Sequence, residues 1–166
     1  LAAEHEFRSL LKEAVKFKDT KNTIEIYNGL GNIYDTRQQK DEALKYYLKG
    51  LRIAEKSKKR YHQAILLNNI GLLKFQNQQV REAEKDFKEA LKIIEGMNED
   101  RLSLNLNNNL GLVNKEMKDY KQSIKYYQNT VLDAKKLGFP QGRGVAFLNL
   151  SDSYLRNKEY GIASKY

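Results

Sequence analysis

The chain has 166 residues, of which 40% are hydrophobic, and it carries a formal net charge of +9. It contains no cysteine, which excludes disulfides and thiolate metal sites and is compatible with oxidising and reducing compartments alike. No run of roughly 18 apolar residues could form a transmembrane helix, and residues 1–5 do not have the pattern of a signal peptide.

Apolar residues recur at helical spacing along the whole chain, as at Ala83, Phe87, Ala90 and Ile94, and no strand pattern occurs. We therefore expect helices at about residues 1–17, 22–37, 41–56, 61–76, 80–96, 100–117, 120–137, 143–157 and 160–166. Short polar turns separate them at about 37–40, 76–79 and 116–119. Glycines 138, 142 and 144 around Pro140 predict a loop before the eighth helix.

The same residue types return every 40 residues, which is typical of a repeat solenoid. Four tetrads share this period: Leu30-Gly31-Asn32-Ile33, Ile70-Gly71-Leu72-Leu73, Leu110-Gly111-Leu112-Val113 and Leu150-Ser151-Asp152-Ser153. Small residues recur at Ala3, Ala43, Ala83, Ser123 and Ala163, and aromatic residues at Phe7, Tyr47, Phe87 and Tyr127.

This period predicts one solenoid domain over residues 1–166. It comprises a half repeat at 1–22, full repeats at 23–62, 63–102 and 103–142, and a partial repeat at 143–166. Because both ends fall inside a repeat, we expect the chain to be a fragment of a longer protein.

These positions resemble the tetratricopeptide repeat family, in which a Leu-Gly pair is followed by an alanine and then an aromatic residue. The matching residues are Tyr27, Leu30, Gly31, Tyr34, Ala43 and Tyr47, then Leu67, Ile70, Gly71, Ala83 and Phe87, then Leu110, Gly111, Ser123 and Tyr127, then Phe147, Leu150, Tyr154 and Ala163. The 40-residue repeat is similar to that of bacterial signalling and regulatory arrays. Lys74, Asn107 and Asn114 depart from the pattern, since they replace large apolar residues.

The resemblance implies an all-α, right-handed solenoid of antiparallel helix pairs. Its glycines and alanines would lie where the two helices of a repeat cross, because small side chains permit close approach. Its aromatic residues would fill the gap to the next repeat.

Asparagines follow the same period on the first helix of successive repeats. In the resembling family this helix lines the concave groove, so these amides are candidates for holding a peptide backbone. The candidate residues are Asn28, Asn32, Asn68, Asn69, Asn105, Asn108, Asn109 and Asn149, with Leu72, Phe75 and Leu112 nearby for apolar side chains of a ligand. The alternative is structural: the amides would bond helix to helix, and the apolar trio would belong to the core between repeats.

Other functions are less well supported by the residues. The excess of basic residues lies on second helices and loops, as at Lys135 and Lys136, so we do not expect nucleic-acid binding. His5 and His62 lie in different repeats, and no catalytic, metal-binding or phosphate-binding motif is present. We therefore expect neither an enzyme nor a cofactor.

The sequence thus predicts a module that binds another protein or a peptide in its concave groove, as the sensory or scaffold part of a bacterial signalling or regulatory protein. The alternative is a structural adaptor that self-associates or assembles complexes through apolar ends that no further repeat covers.

Overall fold

The computed structural model describes residues 2–165, with the side chains of residues 4–165. The small residue expected at Ala3 lies outside the described side chains. Residues 2–165 form nine α-helices and no strand, which confirms the all-α prediction. In chain order they are α1 (Ala2–Lys16), α2 (Thr20–Thr36), α3 (Lys40–Lys56), α4 (Arg60–Gln76), α5 (Val80–Ile94), α6 (Asp100–Glu116), α7 (Tyr120–Lys136), α8 (Pro140–Arg156) and α9 (Tyr160–Ala163).

Loops of three residues join all of these helices except α5 and α6. The middle residue of each such loop is left-handed, with φ between 54° and 64°, and it is a lysine or glutamine in all but one of them. The third loop residue donates its N–H to a carbonyl five residues earlier, as from Gln79 to Lys74 at 2.9 Å. This bond ends the helix as a Schellman motif does, and the short loop makes consecutive helices antiparallel.

The connection between α5 and α6 is longer. Glu95 leaves the helical region at ψ 124°, and Gly96 and Asn98 both take positive φ. Helix α5 therefore ends at Ile94, two residues before the expected end, and spans 15 residues where α4 spans 17.

The prediction of a loop through Gly142 and Gly144 was wrong. Helix α8 begins at Pro140, so only Gly138 lies in the loop, with φ +59°. Proline is favoured at the first helical position, because its fixed φ suits the helix and its missing N–H would have had no helical partner. It overrides the weak helix propensity of the two glycines that follow.

The helices stack so that the first helices of the pairs lie on the inner side. Each helix packs on the next along the chain, and α2 also contacts α4, as α4 contacts α6. No comparable contact joins α3 to α5 or α5 to α7 in the described chain. Because the first helices lie closer to one another than the second helices do, they form the concave face.

Small residues lie where the two helices of a pair cross, as predicted. Ala43 and Ala83 have no exposed surface, and Gly71 lies so close to the Phe87 ring that an added Cβ would be 2.7 Å from Cε1. The ring of Tyr127 has the same relation to Gly111, at 2.6 Å. Tyr47, Phe87 and Tyr127 thus cover the glycine of their own repeat, which corrects the expectation that they fill the gap to the next one. Phe7 follows the expectation, because its ring packs on Gly29 of the next helix pair.

Of the three residues that depart from the repeat pattern, two form polar contacts within their own repeat. Lys74 Nζ pairs with Asp86 Oδ2 at 2.6 Å, across the two helices of its repeat. Burial raises the pKa of Asp86, and the Lys74 ammonium opposes that rise. Asn114 is buried and donates to the Leu110 carbonyl at 2.8 Å. The third departure, Asn107, belongs to a separate polar cluster.

Candidate functional site

The predicted asparagines lie on α2, α4, α6 and α8, the helices that form the concave face. Residues three or four positions apart share a helix face, so Asn109 lies beside Asn105 and Leu112, and Asn69 lies beside Leu72. Asn32 and Asn105 are exposed, and Asn68 is buried. The other predicted asparagines are half-buried, and together with Asn68 they form what we call the ladder: Asn28, Asn69, Asn108, Asn109 and Asn149. The helices therefore bring the predicted polar residues to one surface.

The ladder amides bond to one another across successive first helices. In each of three pairs, Nδ2 of the later residue donates to Oδ1 of a residue 41 positions earlier: Asn69 to Asn28 at 2.7 Å, Asn109 to Asn68 at 2.9 Å and Asn149 to Asn108 at 3.5 Å. These bonds tie α2 to α4, α4 to α6 and α6 to α8. The helix-to-helix bonding that the sequence left open is thus present.

The pairing leaves part of the hydrogen-bonding capacity of the ladder unused, because each amide has two N–H donors and an oxygen that can accept two bonds. Within residues 2–165, Nδ2 of Asn28 and of Asn108 donates to no protein group. Oδ1 of Asn109 and of Asn149 likewise accepts no bond there. The paired amides therefore leave two NH₂ groups and two amide oxygens unused along the concave face.

Asn32 and Asn105 differ from the paired amides. Asn32 Oδ1 accepts a bond from the Tyr47 hydroxyl at 2.7 Å, which joins the two helices of the first full pair. Asn105 is exposed, and its side chain bonds to no group in the described part of the protein. Of the predicted site residues, Asn105 has its whole amide available.

The three predicted apolar residues also differ from one another in their surroundings. Leu72 and Phe75 are half-buried and pack against the core that α4, α5 and α6 share. Leu112 is half-buried one turn from Asn109 and is not part of that core cluster. The core interpretation therefore applies to Leu72 and Phe75, and Leu112 is the better placed of the three to meet a ligand.

Polar contacts between first helices frame the ladder at both ends. His62 Nε2 lies 3.2 Å from Glu25 Oε1, between α4 and α2. Lys115 Nζ lies 3.0 Å from Asp152 Oδ2, between α6 and α8, and Arg156 also contacts that carboxylate. Burial acts to raise the pKa of Asp152, but hydrogen bonds from Lys115 and Arg156 outweigh it and the pKa is lowered.

Sequence reasoning missed Asp133 on α7, an acidic residue of the interior that is 7% exposed. The repeat period could have identified it, because the positions 40 and 80 residues earlier hold the apolar residues Ile93 and Ile53. No group of three or more His, Asp or Glu side chains in residues 2–165 has an arrangement that could hold a metal ion. None of the helices described there has the length and hydrophobicity needed to cross a membrane.

Comparisons with known protein families give matches over the paired helices. Two family models, both described as tetratricopeptide repeat, match residues 24–57 and 62–128. A search of curated proteins gives no significant match.

Solved structures show the same fold. BtubC from P. vanneervenii superposes with a TM-score of 0.90 at 22% identity, over 99% of this chain and 68% of that one. A signal transduction ATPase with numerous domains and a tetratricopeptide repeat sensor, from Pyrococcus horikoshii, has a TM-score of 0.81 at 26% identity, over 95% of this chain and 25% of that one. Aspartyl phosphate phosphatase F from Bacillus subtilis has a TM-score of 0.83 at 14% identity, over 96% of this chain and 42% of that one. The chain thus spans less than two thirds of the latter two.

Proposed function

Because the chain belongs to the tetratricopeptide repeat family, we propose that it is a protein-interaction module whose concave face binds a peptide segment of a partner. The observation that carries this proposal is the set of unused amide groups at Asn28, Asn108, Asn109 and Asn149. Donors and acceptors on one face suit the backbone N–H and C=O groups of a peptide.

The mutual bonds of the ladder support this role as well as the fold. A side chain that is already held by a neighbour loses little conformational freedom when a ligand binds, so less of the interaction energy is spent on ordering it. Asn109 illustrates the point: its Nδ2 is fixed by Asn68, which leaves Oδ1 held in place at the surface. Leu112, one turn away, supplies an apolar contact beside this acceptor.

We propose further that the module is the sensory or scaffold part of a bacterial signalling or regulatory protein. The similarity to the Pyrococcus ATPase, whose repeats are named a sensor, supports the sensory role, and the similarity to the phosphatase from Bacillus supports a bacterial setting. In such a protein, a peptide in the groove would alter the packing of the first helices, because the amides that meet the ligand also join these helices to one another.

A substitution experiment tests the peptide site. Peptides selected from a random library on the intact chain serve as probes, and calorimetry measures their affinity for a ladder variant carrying Asn28→Ala, Asn109→Ala and Asn149→Ala. We expect affinity to fall by more than about ten-fold, since each lost hydrogen bond contributes about 0.5–1.5 kcal/mol. The control carries alanine at three exposed positions of the second helices, Arg52, Lys85 and Lys125.

Thermal unfolding of both variants separates loss of binding from loss of structure. The ladder variant should stay folded with reduced stability, because it loses the three bonds between first helices. Full affinity in the folded ladder variant, or an equal loss in the control, would contradict the proposal.

The alternative function, a structural adaptor that self-associates or assembles complexes, has its own supporting observation. Helices α1 and α2 form a cleft of about 600 Å³ lined by Phe7, Leu10 and Phe17 among others. On α8, Leu148 is 71% exposed and Val145 is 55% exposed. Apolar surfaces of this kind favour stacking of one copy on another.

A further inference from the structure

One interior position of the solenoid is polar in a single repeat. Asn107 on α6 is 4% exposed, and the residues that occupy this position in the other repeats are Tyr27, Leu67 and Phe147. A buried amide in place of a large apolar side chain costs free energy unless its polar atoms are bonded. We therefore expect neighbouring groups that form hydrogen bonds with the Asn107 amide.

The first hydrogen-bond partner of Asn107 is Asp133 on α7. Its Oδ2 accepts a bond from Asn107 Nδ2 at 3.0 Å and from the Ser103 hydroxyl at 2.7 Å. Asp133 is itself a replacement, since the same position holds Ile53 and Ile93 in the preceding repeats. Two positions that are apolar in the preceding repeats are thus occupied here by an amide and a carboxylate that bond to each other.

The cluster leaves two acceptors without adequate donors. Asn107 Oδ1 is buried and has no hydrogen-bond partner in residues 2–165. Asp133 Oδ1 is approached only by Lys136 Nζ, at 3.8 Å, and the Lys136 side chain is 63% exposed. Buried acceptors in proteins are nearly always bonded, so Asn107 Oδ1 calls for a donor that the described chain does not supply. Asp133 Oδ1 is a carboxylate oxygen of the same cluster that can accept a further bond.

An open crevice leads to this cluster. It lies between α5 and α7, with the start of α6 at its base, where the early end of α5 and the loop at 95–99 leave space. Two adjoining cavities of about 530 and 420 Å³ share Leu91, Ser103, Asp133 and Lys136. Asn107 lines the second cavity, and Tyr126 lines the first.

We propose that this crevice binds an organic cation with several N–H donors on an alkyl chain, namely a protonated alkylamine or alkylguanidine. The cationic head would donate to Asn107 Oδ1 and Asp133 Oδ1, the two acceptors that lack donors. The alkyl chain would lie against Leu91 and Tyr126. A charged donor forms stronger bonds with a carboxylate than a neutral one does.

The charges around the crevice fit this ligand despite its lysines. Four lysines line the two cavities. Lys88 is paired with Glu84, and the ammonium of Lys136 lies 3.8 Å from both Asp100 and Asp133. The other two, Lys92 and Lys135, are exposed, and the carboxylates of Glu95 and Glu99 line the same opening. Lys136 therefore occupies the mouth as an exposed cation that an incoming ligand displaces. The interior beyond it presents the acceptors of the cluster.

Chemical-shift titration of the 15N-labelled intact chain tests the proposal. The probes are Nα-acetyl-lysine methylamide, Nα-acetyl-arginine methylamide and n-butylamine, with uncharged Nα-acetyl-norleucine methylamide as the control. We expect saturable shifts of the Asn107 side-chain amide with the cations, and binding at least about ten-fold weaker with norleucine. A preference for the capped amino acids identifies a partner's Lys or Arg side chain as the source, and a preference for n-butylamine identifies a free amine.

The residues at equivalent positions of another repeat show which substitutions should remove the cluster and preserve the fold. Asn107→Leu with Asp133→Ile installs the residues of the second full pair, and this variant should keep its helicity while losing cation affinity by about ten-fold or more. Lys136→Gln changes only an exposed residue and should tighten binding, because the competing ammonium is gone. Absence of saturable shifts, an equal response to norleucine, unchanged affinity in the double variant or weaker binding in Lys136→Gln would each overturn the proposal.

Discussion

Two tyrosines occupy the same position in different repeats and have different partners. The Tyr47 hydroxyl donates to Asn32 Oδ1 at 2.7 Å. The Tyr127 hydroxyl is buried without a hydrogen-bond partner in residues 2–165, because the position of Asn32 is held by Leu112 in that repeat. Burial raises the pKa of both phenols.

This difference predicts opposite effects of removing the hydroxyl. Tyr47→Phe should lower the free energy of unfolding by about 0.5–1.5 kcal/mol, since it breaks a hydrogen bond. Tyr127→Phe should leave stability unchanged or raise it, since it removes an unsatisfied group whose burial costs about 1–3 kcal/mol. Urea unfolding of the two variants measures both values. A larger loss for Tyr127→Phe than for Tyr47→Phe would contradict the assignment.

A second prediction at the scale of single residues concerns Glu4. Its carboxylate accepts bonds from the Tyr34 hydroxyl and from Arg37, both at 2.6 Å, and from Arg8 at 3.0 Å. These bonds, that of Tyr34 first, lower the pKa of Glu4 from 4.5 to about 2. Because the folded-state pKa is depressed, the stabilisation is complete above about 4.5 and is lost as the pH falls through about 2.

A 13C titration of the Glu4 carboxyl carbon checks this assignment. The midpoint should lie near pH 2 in the native sequence and should move towards 4.5 in Tyr34→Phe. Equal midpoints near 4.5 in the two proteins would show that α1 is not held to α2 by this network.

At the scale of helices, the repeat period predicted most of what the structure shows. A period of 40 residues with small residues at fixed positions requires the same crossing in every pair, so the buried places of Ala83, Gly71 and Gly111 followed from the sequence. Helix ends were predicted less well, since the loops reach positive φ at residues such as Lys58 and Gln78, where no glycine marks the turn.

For the candidate site, the positions of the asparagines were predictable from the sequence, and the hydrogen bonds between them were not. The 40-residue period places Asn69 and Asn109 on equivalent turns, but their bonds reach back 41 residues, an offset that depends on how one helix pair is rotated and translated onto the next. Asp133 was missed because an isolated acidic residue on a helix ordinarily faces solvent.

Two glycines in helices give a matched test of the crossing. A Cβ at Gly71 would be 2.7 Å from the Phe87 ring, whereas a Cβ at Gly144 in α8 would have no atom within 4 Å. Gly71→Ala should therefore destabilise the fold, because a packed ring must move. Gly144→Ala should stabilise it by about 0.5–1 kcal/mol through helix propensity. Thermal unfolding compares the two, and equal effects would contradict the packing described for Gly71.

At the scale of the whole molecule, the adaptor function predicts association through α8. Leu148→Glu should then shift the chain towards monomer in sedimentation velocity, because a charge disrupts an apolar contact. Leu132→Glu on α7 is the control, since Leu132 is also exposed, at 57%, and lines the crevice between α5 and α7 rather than the apolar surface of α8. A native chain that sediments as a monomer at high concentration, or an equal effect of both substitutions, would remove the support for this alternative.

Peptide binding on the concave face can be detected directly through the side-chain amides of its asparagines. The measurement is a 15N spectrum of the intact chain, titrated with a peptide selected for binding. We predict that the NH₂ signals of Asn28, Asn105 and Asn108 shift with a common saturation, while those of Asn77 and Asn98, which lie in loops, stay in place. Shifts confined to the loop asparagines, with the ladder signals unmoved at saturation, would contradict the claim that this face binds the peptide.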